Sequence, residues 1–183
     1  MQNVSQLSVE ELLFQARRAG EGSNETPANL GEALAYAEEA ARRDSADGYH
    51  EITRIVGSAC IATEDLTLKE QYAAYLIGCC DPDTILRHKR GDTAYNVASV
   101  CAYMTDTLTA CGDSTEADTY RNQAESYYHI ALTLESFAPS PANHQAAQAS
   151  RDDVNRLCPV PKPHPHPPTK QSNRLPAKTY ILQ

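Results

Sequence analysis

No stretch of this chain approaches the ~18 consecutive apolar residues of a membrane-crossing helix, and residues 1–8 lack the basic region and apolar run of a secretory leader. A soluble, cytoplasmic protein is therefore expected. Cys60, Cys79, Cys80, Cys101, Cys111 and Cys158 should then be reduced, most of them serving as small apolar fillers. Gly-rich phosphate-cradling loops and a Gly-x-Ser-x-Gly turn are both missing, which removes the common nucleotide-dependent classes and the usual serine elbow. There is no Cys-x-x-Cys pair. Cys79 and Cys80 point about 100° apart around a helix, which suits neither a shared tetrahedral metal nor an easy disulfide. The run His50-Glu51-Ile52-Thr53-Arg54 begins like a zinc-protease helix, but Arg54 stands where the second imidazole ligand must be.

Positive charge is also scarce. The chain has 16 Lys and Arg against 24 Asp and Glu, a net charge of −8. Residues 159–183 hold Lys162, Lys170, Arg174 and Lys178 with no acidic residue, so the remainder is more acidic than the whole. Such a body repels phosphate backbones and disfavours nucleic acid, whereas long-range steering favours a basic protein or peptide partner.

What is present is helical periodicity. Over residues 116–137, Ala117, Tyr120, Ala124, Tyr127, Tyr128, Ala131 and Leu134 recur at three- and four-residue spacing. Small Ala among bulky Tyr and Leu lets a neighbouring helix approach closely while rings fill the flanks. Upstream, Ser8 and Glu11 form a capping box for a first helix that Gly20 is expected to stop. Thr26-Pro27 reads as the start of a second helix running to Arg43, with Leu30, Ala33, Leu34, Ala37 and Ala40 inward. A third is expected over 48–62, with Ile52, Ile55, Val56, Ala59 and Cys60 inward. Thr67 and Glu70 box a fourth, and Asp81-Pro82 opens a short fifth that ends in a basic run. Asp92 is expected to cap a sixth that closes near Cys111-Gly112, and Asp113 with Glu116 to box the seventh. Ser140-Pro141 begins an eighth, through Leu157.

About eight helices with no strand run predict an all-α fold, with antiparallel helix pairs in a small solenoid or irregular bundle. The expected organisation is a flexible N-terminus (1–7), a helical domain (8–157) and a disordered, proline-rich basic tail (158–183). Helix pairs open at intervals of about 33 to 39 residues, the size found in helical-pair repeats. Residues 32–40 (EALAYAEEA), with Ala33 and Ala40 seven apart, resemble the second helix of a tetratricopeptide repeat, as do Ala124 and Ala131 with Tyr128 between them. The resemblance covers those two helices and implies helix-pair packing. Residues 91–98 (GDTAYNVA) are similar to the opening of an ankyrin repeat, although a Gly stop followed by an Asp cap accounts for the same residues.

Two stretches are candidate binding sites. Arg87, His88, Lys89 and Arg90 form a basic quartet that could meet an anion, or could simply complement a helix C-terminus. In the tail, Pro165 and Pro168 followed by Lys170 make the pattern read by polyproline-binding domains. His164 and His166 make an incomplete metal site, and no cofactor, metal or catalytic residue is assigned. These features favour a non-catalytic adaptor or scaffold module that binds a peptide or partner helix. The alternatives are an enzymatic or small-molecule-binding bundle whose site is assembled from distant residues, and a structural domain of a larger assembly.

Overall fold

The computed structural model describes residues 4–22 and 28–137 of the chain. The expected eighth helix, the whole tail and the Thr26-Pro27 start lie outside the described residues. Within them the fold is all-α: a 3-10 turn (Val4–Gln6) followed by α1 (Val9–Glu21), α2 (Leu30–Arg42), α3 (Ala46–Ala62), α4 (Leu66–Cys79), α5 (Pro82–His88), α6 (Gly91–Cys111) and α7 (Ser114–Phe137). None of the described helices is long and apolar enough to cross a membrane.

Local chemistry explains the ends. Ser8 Oγ accepts the Glu11 N–H at 3.2 Å and Glu11 Oε2 accepts the Ser8 N–H at 2.7 Å, so the first capping box forms. Asp81 caps α5, with Pro82 in the first turn, and Asp113 Oδ1 accepts the Glu116 N–H at 3.1 Å. Several ends differ from expectation, α3 among them: it starts at Ala46 with Ser45 as its cap, two residues before the expected residue 48. Gly20 stays inside α1, which runs on to Glu21 and is capped by Gly22 at φ 66°, because glycine's freedom is used where the backbone turns left-handed. Asn29 caps α2, its side chain accepting the Glu32 N–H at 3.1 Å. Asp65, rather than Thr67, caps α4: one carboxylate oxygen takes both the Thr67 and Leu68 N–H groups, at 2.9 and 3.3 Å. Asp92 lies inside the first turn of α6, where its carboxylate serves Arg90 as well as the Thr93 N–H, and Arg90 occupies the cap position without a side-chain cap bond.

Packing runs between neighbours. α1, α3 and α6 touch in succession, and the helices that follow them, α2, α4 and α7, pack back against them, while α5 wedges against α6 and α7. Short connections make each such pair antiparallel. α6 is buried almost all round, from Thr93 and Ala94 to Met104 and Leu108, which makes it the central helix. Its partner α7 presents Ala117, Tyr120, Ala124, Tyr127 and Ala131, all buried, as the expected stripe. Lys69, buried and paired with no carboxylate among the described residues, closes the far end of α3. Its ammonium bonds the Tyr103 hydroxyl at 2.5 Å and the Cys60 carbonyl at 3.4 Å, placing a cation at the negative end of that helix.

Candidate functional site

The structure separates α3 into two polar ends with different company. At its N-terminal end stand the basic residues singled out above. Arg90 Nε and Nη2 lie 2.8 and 2.6 Å from the Asp92 carboxylate, and its Nη1 meets Asp47. The His88 ring packs against Tyr49 at a tilt of 38° with ring centres 5.0 Å apart and places Nε2 3.2 Å from Asp44 Oδ1, while Arg87 Nη2 approaches the same oxygen at 3.8 Å. Lys89 takes the left-handed position that ends α5, at φ 54°. Three aspartates from two neighbouring segments therefore gather around the quartet. Pro165, Pro168 and Lys170 lie outside the described residues.

His50 sits beside this cluster, its Nδ1 3.4 Å from Asp92 Oδ2 without hydrogen-bond geometry. Burial pushes its imidazole below the usual value, more strongly than Asp92 raises it, so His50 is neutral near pH 7 and the contact is not an ion pair there. Burial also pushes the Asp92 carboxyl up, but the Arg90 hydrogen bond, His50, the Arg90 charge and the Thr93 N–H outweigh it and hold the carboxyl low. Folded His50 resists a proton that the unfolded chain accepts, so stability falls as pH drops below about 6.5. The melting midpoint should decline through that range, and His50→Gln should flatten the decline. An equally steep decline in the variant would place the acid sensitivity elsewhere.

At the other end α3 forms one wall of a cleft of about 350 Å³, together with the end of α1 and the start of α2. Gly20, Ala28, Leu30, Ile55, Ala59 and Ala62 supply an apolar lining, and Arg54 and Ser58 supply the polar groups. Sequence periodicity placed Ala59 inward. It is only half-buried, because the space beside it is this cleft rather than another helix. The opening exists because the lining is short: a Cβ on Gly20 would already be 3.6 Å from Ala33 Cβ and 3.5 Å from Arg54 Nη2, so larger side chains there would occupy the space. Behind the wall Glu51 Oε1 accepts Arg54 Nε at 2.8 Å and Nη2 at 2.5 Å, and Glu51 Oε2 meets Arg17 Nε at 3.4 Å. The Glu51-to-Arg54 spacing is visible in the sequence, but Arg17, on a different helix, is brought in only by the fold.

Chemically, the cleft offers apolar contact and a guanidinium. Two buried thiols, both elsewhere, are poorly disposed to react: burial pushes Cys80 up to about 12 and raises Cys60 as well. Among the described residues, Cys60, Cys79, Cys80 and Cys111 are free thiols, and no three His, Cys, Asp or Glu side chains gather so as to hold a metal ion. No protein-family model, curated protein or solved structure matches the chain.

Proposed function

We propose that this protein is a non-catalytic interaction module, an adaptor or scaffold that holds a short segment of a partner protein in the cleft between α1, α2 and α3. The observation that carries this reading is the cleft itself, walled by Gly20, Ala59 and Ala62 and floored by Ile55, with space for one or two apolar side chains. Small wall residues on helices packed side by side leave a gap that a partner's side chain fills, as in helix-in-groove recognition. The tetratricopeptide-like helices at 32–40 and 124–131 support the same reading, since helix pairs of that kind present grooves. The Pro165, Pro168 and Lys170 pattern adds a second contact, to a polyproline-reading domain. An intracellular setting belongs to this reading, in keeping with the thiols of Cys60 and Cys80 in the core.

Panning a random-peptide library against the purified full chain tests it. Ala59→Phe would fill the cleft from a half-buried position, so selected peptides should bind this variant about tenfold or more weakly while its helical melt is preserved. Equal affinity for the two proteins would exclude the cleft as the docking site.

A further inference from the structure

We propose that the cleft selects a partner segment in which an apolar side chain is flanked by a carboxylate, an Asp or Glu of the partner protein. This rests on the reading of the cleft as a docking site and specifies what that site distinguishes.

Glu51, Arg54 and Arg17 form a three-charge group with one anion and two cations. The anion is underneath: the Glu51 side chain is 2% exposed, whereas those of Arg54 and Arg17 are 37% and 56% exposed. An approaching molecule therefore meets the surplus positive charge and not the carboxylate that partly balances it. The geometry also holds Arg54 in place. Its Nε and Nη2 share Glu51 Oε1, and Nη2 lies 3.5 Å from where a Gly20 Cβ would stand, against the cleft lining. A guanidinium already fixed by a buried partner loses little further freedom on receiving a second carboxylate. The local sign is opposite to the net charge of −8 for the whole chain, so long-range steering and contact selection differ here. Apolar lining next to a fixed cation matches a Leu, Ile or Phe followed by an acid. It does not match residues 159–183 of this chain, which carry four cations and no acid.

The test uses the full chain, peptides selected from the random library, each peptide's Glu→Gln or Asp→Asn counterpart, and a synthetic peptide of residues 174–183 with an amidated C-terminus so that it carries no carboxylate. Protein variants are Arg17→Gln and Arg54→Gln. Each leaves Glu51 with one arginine, and Arg17 is outside the cleft lining, so its effect reads charge rather than shape. Selected peptides should be enriched in acids beside large apolar residues. Arg17→Gln should weaken the acidic peptide about three- to fivefold, the scale of a partly exposed ion pair, and leave the amide counterpart unchanged, whereas Arg54→Gln, which also alters the lining, should weaken the acidic peptide by more than its amide counterpart. Equal losses for acidic and amide peptides, selected peptides without acids, or tighter binding of the 174–183 peptide would each overturn the proposal. If such peptides are still blocked by Ala59→Phe, only the charge preference falls and the docking site stands. If no peptide is selected, or none is blocked, both readings fall together.

Discussion

Ala131→Glu should destabilise the protein by roughly 3 kcal/mol or more, while Glu125→Ala should change stability by no more than about 0.5 kcal/mol. Ala131 has no exposed surface and lies on the stripe of α7 that packs on α6, whereas Glu125 is on the exposed side. A carboxylate at 131 would have to be desolvated without a partner, or be protonated, or force the two helices apart. Each route removes packing around Tyr127, itself fully buried and set with its hydroxyl 3.4 Å from the Ile77 carbonyl. Burial raises the Tyr127 phenol, so the site already disfavours charge. Thermal melts of the two variants measure the contrast, and matching midpoints would mean that the packed face of α7 has been assigned wrongly.

Gly48→Ala should cost about 3 kcal/mol, the upper range for overpacking a well-filled contact, although alanine is ordinarily the better helix former. A Cβ on Gly48 would lie 2.8 Å from the Ala40 carbonyl carbon and 2.9 Å from Ala41 Cα, with the Ala41 nitrogen closer still. These are backbone atoms of α2 and cannot rotate away. The absence of a side chain lets α3 start directly against the end of α2, where the Ser45 and Asp44 N–H groups bond back to Ala40 and Ala41. Gly78 is the natural control, because a Cβ there meets nothing within 4 Å. Gly78→Ala should raise stability by as much as ~1 kcal/mol through lower unfolded-state entropy and better helix propensity. Chemical denaturation of both variants should therefore move in opposite directions; a gain for Gly48→Ala would show that α2 and α3 can separate at no cost.

Helix identity was legible wherever the signal is local. The spacing of Ala117, Tyr120, Ala124, Tyr127 and Ala131 selects one face of α7, and the structure buries that face. Ser8 with Glu11, and Asp81 with Pro82, act within a single turn, so their caps formed as read. Caps depart from the local pattern where two acceptors stand close together. Asp65 and Thr67 are two residues apart, and the carboxylate prevails because one oxygen satisfies two backbone donors. At Asp92 a neighbour two residues away decides: the Arg90 guanidinium, held also by the long-range contact to Asp47 on α3, engages the carboxylate from the cap position.

By itself, then, the sequence determined the class of fold, the order of the described helices and the inward face of α7, because periodicity and capping depend on residues three or four apart. Tertiary structure alone decided the rest. That Gly48 is a point of backbone contact depends on where α2 ends against α3. That Ala59 and Ala62 line a cleft depends on none of the described helices covering them, and periodicity distinguishes apolar from polar faces without saying which apolar face those helices leave open. That Glu51 is buried beneath two guanidiniums required Arg17 to arrive from a helix 34 positions away, a coincidence of packing that no local spacing encodes.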